Sequence, residues 1–417
     1  MGVMPEPADL AIIGGGFSGT LLLVQYLRQP ITAPRRVMLF HRGDLARGLA
    51  YSTRDPHHLL NVPARNMSAF PDAPGDFLHW LNKNAASQHF APGDFAPRHL
   101  YGDYLHHILQ QQLAQTPHRV EIIEEEALSI TPQQHSGGLT ITTRTGERVA
   151  HQVALALGNE PTPPPPDCLS PWALLVHPLP PAHETIRILG AGLTAVDAYL
   201  TLRSRGFTGT IEMLSPSGRL PHAHLPNPKN YLWPLPLPRG LSGMLRAIRH
   251  AAKREGDWRA VVDGLRPHMV TFWRSLSPFA QKLFLTRYVG LWNIHRHRMA
   301  PQIAAQLAAD ARLTVTPLAH APSPLPPAAL TVYCTGQNYR LGQTKNPLLR
   351  QLAQDGLLKA HASGFGIMAS GYQCMGNSTQ LYALGPLLIG ERLETSAVPE
   401  LRVEAAELAA LLVQKQG

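Results

Sequence analysis

The feature that most constrains the fold is a glycine-rich turn near the beginning of the chain. An apolar run at 9–13 enters the segment 14–19, GGGFSG, and residues 20–28 continue with apolar side chains at helical spacing. A strand, the pattern G-x-G-x-x-G and a helix in this order are typical of a dinucleotide-binding unit, whose helix N-terminus binds phosphate oxygens. The candidate cofactor-binding residues in this unit are Gly14, Gly16, Phe17, Ser18 and Gly19.

The next strand, predicted at 36–40, is followed by a histidine. In dinucleotide-binding units an acidic residue at this point holds the ribose hydroxyl groups. His41 can donate or accept one hydrogen bond, but it cannot supply the two oxygens of a carboxylate. We therefore expect either a looser contact between His41 and the ribose or a ribose that is held elsewhere.

A second copy of the pattern lies in the middle of the chain. An apolar run at 186–189 enters the segment 190–195, GAGLTA, and a helical pattern extends to residue 202. The strand predicted at 210–214 is followed by two serines and an arginine instead of a carboxylate, which favours the 2′-phosphate of NADPH over NADH. A simple loop cation is the alternative role for the arginine. The candidates in this unit are Gly190, Gly192, Leu193, Thr194, Ser215, Ser217 and Arg219.

Two dinucleotide units in one chain are typical of proteins in which one unit holds a flavin and the other delivers a nicotinamide to it. Apolar strands predicted at 153–157 and 330–334 lead into glycines, where the chain of such a protein returns to the flavin domain. The two glycines, Gly158 and Gly336, are further cofactor-binding candidates.

The predicted fold class is α/β, with two Rossmann-like dinucleotide-binding domains. The NAD(P)H-binding domain, 184–320, is inserted into the FAD-binding domain, which comprises 1–165 and 328–417. Pro-rich stretches flank the insertion, and its segment 240–312 has a helical pattern. Four aromatic residues of this helical segment are expected in a core or a pocket: Trp258, Trp273, Phe284 and Trp292.

Charge and cysteine content exclude several classes of protein. The 417-residue chain carries a formal net charge of +9, but its basic residues form no run of five or more, so we expect an anionic small molecule and no nucleic acid as partner. Three distant cysteines without a C-x-x-C pair argue against a disulfide framework, a zinc ribbon and a dithiol redox centre. We also expect no metal site, no membrane association and a cytoplasmic location.

Several stretches along nearly the whole chain carry a family resemblance. They are 47–51 (RGLAY), 58–64 (HLLNVPA), 67–68 (MS), 101–104 (YGDY), 155–159 (LALGN), 192–197 (GLTAVD), 292–298 (WNIHRHR) and 394–400 (ETSAVPE). With these stretches the chain resembles the bacterial FAD-dependent urate hydroxylases and the wider group of FAD/NAD(P)-binding proteins around them. His41 departs from the acidic residue that is usual in this family.

The resemblance implies a single-component flavin monooxygenase that contains FAD and consumes NADPH, with NADH as an alternative. In that chemistry the nicotinamide reduces FAD, reduced flavin and oxygen give a C4a-hydroperoxide, and its terminal oxygen passes to a small electron-rich substrate. If the substrate is urate, the product is 5-hydroxyisourate. The expected partners are therefore oxygen and a small molecule, and the oligomeric state is left open.

Two further segments are candidates for contacts with the flavin ring. The loop 61–67 lies downstream of the first dinucleotide unit, where a segment often crosses the ring, and an ordinary surface loop is the alternative. The N-terminal amides of a helix predicted at 401–412 would face the side of the ring where negative charge develops on reduction, and a capped terminal helix is the alternative. These segments contribute the candidates Asn61, Val62, Met67, Ala397 and Val398.

A group of basic residues is predicted to bind a substrate or a phosphate. Its two histidines are two positions apart and point to different sides of a helix, which argues against a zinc site. A buried network that positions helices is the alternative role. The candidates are Arg266, His295, Arg296, His297 and Arg298, and no residue stands out as a catalytic acid or base.

Three other functions compete with the hydroxylase. One is an amine or amino-acid N-hydroxylase of similar layout, and another is an NAD(P)H–flavin reductase that passes electrons to a different acceptor. The third is a dinucleotide-binding redox sensor without turnover. A colourless protein without flavin would favour the sensor, and stoichiometric hydrogen peroxide with every substrate would favour the reductase.

Overall fold

The computed structural model describes residues 6–30, 33–85, 88–133, 137–226 and 228–415. Its strands are β1 (Ala8–Ile13), β2 (Arg36–Phe40), β3 (Arg119–Ile123), β4 (Ser129–Pro132), β5 (Leu139–Thr142), β6 (Glu147–Leu155), β7 (Glu160–Pro161), β8 (Thr185–Leu189), β9 (Thr210–Ser215), β10 (Leu313–Pro317), β11 (Leu330–Tyr333), β12 (Gln337–Asn338), β13 (Ala369–Ser370), β14 (Gln373–Cys374) and β15 (Leu381–Ala383).

The α-helices of the same ranges connect and cover these strands. They are α1 (Phe17–Leu27), α2 (Gly48–Tyr51), α3 (Asp76–Asn84), α4 (Arg98–Gln115), α5 (Leu193–Ser204), α6 (Gly240–Glu255), α7 (Trp258–Asp263), α8 (Met269–Ser275), α9 (Pro278–Leu283), α10 (Val289–Arg296), α11 (Pro301–Ala309), α12 (Pro347–Gln354) and α13 (Val398–Gln414). Each described helix is too short or too polar to cross a membrane.

The first sheet has the order β13-β14-β15-β6-β1-β2-β3, and the hairpin β4-β5 joins it along β6. Its central strands are parallel, and Ile13 at the end of β1 stands beside Phe40 and Leu155. Strands of this kind are covered on both faces, which explains why β1 and β2 are almost entirely apolar. Helices α1 and α13 pack against each other, and both contribute to the core of this first lobe.

The second sheet has the order β10-β9-β8-β11, and all its strands run parallel. The structure therefore confirms the predicted α/β class with two parallel, Rossmann-type sheets. The sequence placed 330–334 in the returning part of the flavin domain, but Leu330 pairs with Ile186 and Tyr333 with Leu189 in the second lobe. The reason is that β8 needs a parallel partner on its second side, and the apolar β11 supplies one.

The two connections between the lobes run side by side. The outgoing connection contains β7 and the returning one contains β12, and these short strands pair antiparallel to each other. Helices α6 to α10 form a helical region with a core of its own, in which Trp273 and Phe284 are buried and Trp292 is partly buried. Trp258, expected with them, is half-buried at the edge of this region. Helix α11 instead packs into the core of the second lobe through Ile303 and Leu307.

Candidate functional site

A cleft of about 870 Å³ opens at the carboxyl edge of the first sheet. In parallel sheets ligands bind at this edge, and the volume lies in the range of pockets for small molecules and cofactors. The cleft is lined by the glycine turn at 14–18, by Phe40 and His41 after β2, by 125–127 after β3 and by 156–159 after β6.

Two glycines of the turn are required by the packing of the first lobe. Gly14 has a φ of +112°, and a Cβ atom there would collide with the carbonyl oxygen of Ala156. A Cβ atom on Gly19 would collide with the carbonyl oxygen of Gly14, so Gly19 allows α1 to approach the turn. Gly16, Phe17 and Ser18 line the cleft at the start of α1, where unpaired N–H groups are available for phosphate oxygens.

His41 lies in the cleft at the expected ribose position. Its Nδ1 atom is 3.0 Å from the carbonyl oxygen of Gly43, so Nδ1 donates in this hydrogen bond. Nε2 is then the ring atom left for a ribose hydroxyl, which is one hydrogen bond where a carboxylate would offer two. The neighbouring Arg42 also lines the cleft and pairs with Glu126, 3.2 Å away.

The segment 42–51 closes over the glycine turn, a feature that the glycine pattern did not indicate. The amide of Ala46 donates to the carbonyl oxygen of Gly15 over 2.8 Å, and Gly48 lies directly against Gly16. Arg47 reaches into the lining of the cleft and pairs with Asp103 at 2.5 Å. The only sequence signal for this segment was its part in the family resemblance.

Phe17 and Tyr51 line the cleft, and the buried ring of Tyr101 packs behind them. Tyr51 lines the cleft, and its ring is 5.5 Å from that of Phe17 and 4.7 Å from that of Tyr101. Burial raises the pKa of Tyr51 and of Tyr101 well above the usual range, so both hydroxyls stay protonated. Among the described residues, the Tyr101 hydroxyl and the Nε atom of Arg402 are buried donors without an acceptor.

The loop 61–67 lies at the junction with the second lobe. The Asn61 carbonyl oxygen accepts a hydrogen bond of 2.9 Å from Nε2 of His224. Val62 packs partly buried against the first core, and Met67 is buried within that core. The other two candidates for contacts with the flavin ring lie at the start of α13, where Val398 is buried and Ala397 is the N-cap residue. The neighbouring Ser396 lines the cleft.

The glycine turn of the second lobe is open to solvent at its central position. Gly190 has a φ of +124° and packs against the Cys334 carbonyl group, so it has the same role as Gly14. A Cβ atom on Gly192 would meet no other atom within 4 Å, which leaves room for a pyrophosphate against the backbone. Leu193 packs partly buried against the second core, and Thr194 faces the cleft of the first lobe.

The end of β9 carries the hydroxyl groups and the cation that the sequence indicated. Ser215 accepts a hydrogen bond from the amide of Gly218, and Ser217 accepts one from the amide of Arg219. The Arg219 side chain is exposed, and no carboxylate of the described residues pairs with it.

The other two glycine candidates lie in the connections between the lobes. Gly158 lines the cleft, and the carbonyl oxygen of Gly336 accepts a hydrogen bond from the amide of Thr162.

Helix α5 of the second lobe borders the same cleft. Its residues Thr194, Asp197 and Thr201 line the cleft together with Arg98 of α4. Arg98 donates a 2.6 Å hydrogen bond to Asp197, and His58 is 2.9 Å from the Thr201 hydroxyl. Sequence reasoning missed this contact because nothing in the sequence pairs residues so far apart.

Two of the basic candidates, Arg266 and Arg296, share a network with two carboxylates. Arg296 lies 3.2 Å from Glu394 and 3.3 Å from Glu400, and Arg266 lies 2.8 Å from Glu400. Burial alone would raise the pKa of Glu394, but Arg296, His297 and a hydrogen bond from Trp292 hold it below its usual range. These contacts give the arginines carboxylate partners.

The remaining basic candidates differ in their surroundings. Arg298 pairs with Asp263 at 2.5 Å. His297 is largely enclosed, and burial lowers its pKa. His295, in contrast, is half-buried and lies against Trp258 and His222, with ring centroids 4.7 Å apart in both pairs.

A second cavity of about 410 Å³ adjoins the cleft and shares Arg42, Gly158 and Asn159 with it. Glu160 projects from its wall and accepts a 2.7 Å hydrogen bond from Thr344. In the described part of the chain, no group of three or more histidine, cysteine or acidic side chains is placed to hold a metal ion.

Residues 11–160 match the model of a family described as FAD-NAD(P)-binding. This match covers the first lobe up to its outgoing connection, so the signature of that family lies where the cleft is built. No curated protein matches the chain by sequence.

Solved structures resemble the chain over almost its whole length. An ornithine N-hydroxylase of Kutzneria sp. 744, with reduced FAD, NADP⁺ and L-ornithine, has a TM-score of 0.63 at 14% identity over 99% of this chain and 100% of that one. An L-lysine 6-monooxygenase of Pseudomonas syringae has a TM-score of 0.62 at 15% identity over 98% and 99%. A cadaverine monooxygenase of Erwinia amylovora bound to FAD has a TM-score of 0.63 at 10% identity over 98% and 95%. At these identities the similarity shows the fold.

Proposed function

We propose that the chain is an FAD-dependent, NAD(P)H-consuming oxidoreductase of the monooxygenase type, which acts on a small molecule with oxygen. The observation that carries this proposal is the cleft that the glycine turn at 14–18 and helix α5 line together. A nucleotide bound to the first lobe would therefore lie beside the helix that begins the nicotinamide-binding unit of the second lobe. The match of residues 11–160 and the shared fold support the same assignment.

The residues of the first lobe fit FAD. The amides at the start of α1 would bind the pyrophosphate, and His41 would contact the ribose. When bound, FAD would accept a hydride from the nicotinamide and activate oxygen for transfer to the substrate.

The second lobe would bind NADPH transiently. Gly192 and the N-terminus of α5 would hold its pyrophosphate, and Ser217 with Arg219 would hold its 2′-phosphate. Because the Arg98–Asp197 contact fixes α5 against the cleft, the two nucleotides would keep a constant separation. The rings of Phe17 and Tyr51, with Tyr101 packed behind them, would exclude water from the reacting centre.

Hydroxylation of urate to 5-hydroxyisourate remains one prediction for the substrate, and N-hydroxylation of an amine is the second candidate. The second candidate is favoured by the relatives of the same fold, whose names give ornithine, lysine and cadaverine as substrates or ligands. Electron transfer to a disulfide is disfavoured, because the sequence contains no C-x-x-C pair. Cys334 is also buried, and burial raises the pKa of its thiol to about 12.

Anaerobic stopped-flow reduction of the purified, yellow protein by NADPH or NADH tests the proposal. Incubation with NADPH under isotopically labelled oxygen and one of urate, ornithine, lysine or cadaverine, followed by mass spectrometry of the product, identifies the substrate. We expect flavin reduction by NADPH and one oxygen atom in the product. A colourless protein without flavin would overturn the proposal, and stoichiometric hydrogen peroxide with every compound would replace the monooxygenase with a reductase.

A matched pair of variants separates the two nucleotide sites. Gly192 has ordinary extended backbone angles and open space around it, so Gly192→Ala will fold normally and retain flavin. Its methyl group will occupy the place of the NADPH pyrophosphate, and we expect KM for NADPH to rise about tenfold or more. The control His106→Ala removes an exposed side chain of α4 and should change neither flavin content nor KM.

A further inference from the structure

A loop between β9 and α6 presents two leucines to the solvent. Leu232 is 91% exposed and Leu235 is 69% exposed. The loop comprises residues 231–238, and prolines at 234, 236 and 238 restrict its backbone. This segment, the leucine loop, therefore forms a stiff apolar tip on the surface of the helical region.

The leucine loop is anchored along one side of α6. The Trp233 side chain points inward, where Nε1 donates a 2.9 Å hydrogen bond to the backbone of α7. At one end of the loop, the Tyr231 hydroxyl accepts a 3.1 Å hydrogen bond from Arg254. At the other end, Pro238 lies beside Gly243, 3.7 Å from the place of a Cβ atom there. Positions 243 and 254 are about three helical turns apart and lie on the same side of α6, so the loop follows that side.

A row of exposed basic side chains, the cationic stripe, lies next to the leucine loop on α6. Its members recur at helical spacing, and they are Arg246, Arg249, His250 and Lys253. His250 is one turn from Arg254, which touches the loop, while Met244 and Ala251 face the core. In the described parts of the chain, no carboxylate pairs with the arginines or the lysine of the stripe. The two features therefore form one surface that combines exposed leucines with unneutralised positive charge.

The sequence of this surface contains no opposing charge. Residues 228–254 include six lysines and arginines and no aspartate or glutamate. Glu255, directly after this segment, pairs with Arg254 at 3.0 Å and leaves the stripe itself unpaired. A partner for this surface must therefore supply the negative charge.

We infer that the leucine loop and the cationic stripe bind the surface of a membrane that contains anionic lipids. The cations meet the lipid phosphates, and Leu232 and Leu235 enter the boundary between headgroups and acyl chains. A fluid lipid surface suits cations without fixed partners, and a narrow tip of two leucines is small for the apolar centre of a protein interface. The expectation of no membrane association rested on the lack of a spanning segment in the sequence, which peripheral binding does not need. The inference goes beyond the proposed function and does not depend on the flavin chemistry.

Flotation of the full-length protein, purified with its flavin, on lipid vesicles tests the inference. One set of vesicles contains phosphatidylcholine alone, and the other contains equal amounts of phosphatidylcholine and phosphatidylglycerol. We expect binding to the mixed vesicles only, and we expect it to weaken as salt is added, because salt screens the charges.

Two double variants address the two parts of the surface. Arg249→Gln/Lys253→Gln should lower the binding to mixed vesicles at least about tenfold, because each cation near an anionic lipid surface contributes about a factor of five. Leu232→Asn/Leu235→Asn should lower it by a similar factor through the loss of buried apolar area. All four side chains are exposed, so flavin absorbance and melting temperature should stay unchanged.

Matched controls change the same properties elsewhere. Val176→Asn replaces an apolar residue that is 85% exposed in the connection before β8, and Arg119→Gln/Arg144→Gln removes two exposed cations of the first lobe. Both should bind like the unchanged protein.

Failure of the unchanged protein to bind mixed vesicles would overturn the inference. Full binding by either double variant would do so too, as would an equal loss in the controls, because the contact would then lie elsewhere or be a general effect of charge. Retention on immobilised polyglutamate without any binding to vesicles would replace the membrane with an acidic protein partner.

Discussion

Arg98 of the first lobe and Asp197 of the second lobe form a direct ion pair, with 2.6 Å between Nη1 and Oδ2. Both side chains are mostly buried and line the cleft, and Nε of Arg98 also donates to the Leu59 carbonyl oxygen. A carboxylate of α5 is thereby held against the loop that borders the flavin site. The pair is a joint between the lobes as well as a part of the cleft.

Asp197→Asn should slow the reduction of flavin by NADPH, because α5 loses its fixed position. We expect a decrease of about tenfold for Asp197→Asn and for Arg98→Met, and no further decrease in the double variant, as is usual for residues that act as a pair. Stopped-flow absorbance under anaerobic conditions measures the rate. The Arg203–Asp310 pair has similar burial and a 2.8 Å distance but lies within the second lobe, so Asp310→Asn is the control. Additive effects of Arg98→Met and Asp197→Asn would contradict the role of the pair.

Gly190→Ala should destabilise the second lobe, in contrast to Gly192→Ala. Gly190 has a positive φ and touches the Cys334 carbonyl group, so an added methyl group creates both backbone strain and a collision. We expect a loss of about 2 kcal/mol or more in the free energy of unfolding. Urea unfolding followed by circular dichroism measures the difference between the two variants. Equal midpoints would show that the turn yields to a side chain.

The stability of the protein should fall as the pH drops from about 6.5 to about 4, because of His224. Burial, followed by the charge of Arg298, lowers the pKa of His224 to about 4. The unfolded chain takes up this proton at higher pH than the folded chain, so the contribution is fully present above pH 6.5 and decreases on acidification. Its full size is about 3 kcal/mol. His224→Gln keeps a donor for the Asn61 carbonyl oxygen and should flatten this part of the profile of melting temperature against pH. An unchanged slope in the variant would assign the effect to another group.

Arg296→Met should be much more damaging than Arg266→Met. Arg296 is buried between Glu394 and Glu400, and its removal would leave Glu394 charged and enclosed. The expected cost is about 3–5 kcal/mol, as for other broken buried pairs. Arg266 is about a quarter exposed, and water can replace part of its contact with Glu400. Thermal melting of both variants checks the order, and a reversed order would place the energetic centre of the network at Arg266.

The local parts of the fold could be predicted from the sequence, because each depends on neighbours along the chain. The strand Arg36–Phe40 has the predicted bounds, and α1 begins within the predicted glycine turn. The class with two parallel sheets followed from the two glycine turns. The site residues at 14–19 are recognisable because their spacing is itself the chemical signal.

Contacts between distant residues could not be predicted in this way. The apolar pattern of β11 fits either sheet, and only the pairing of Leu330 with Ile186 decides where it belongs. The sequence 295–298 reads as one basic group, yet carboxylates at 263 and 394 neutralise two of its members. His222 and Trp258 carried no signal for a shared cluster with His295, because their proximity arises from the packing of the segment after β9 on α10.

The position of β15 beside β6 affects how the chain matures during synthesis. Leu381–Ala383 pair with Val153–Leu155, although all strands of the second sheet lie between them in the sequence. A nascent chain that emerges from its amino terminus can finish the inserted lobe at Tyr333 while the stretch Val153–Leu155 of β6 still lacks its partner β15, because β5 covers only the first half of that edge. Such an edge is prone to pair with foreign strands. Premature termination before Leu381 should consequently yield an aggregating product with one completed lobe, not a smaller working protein.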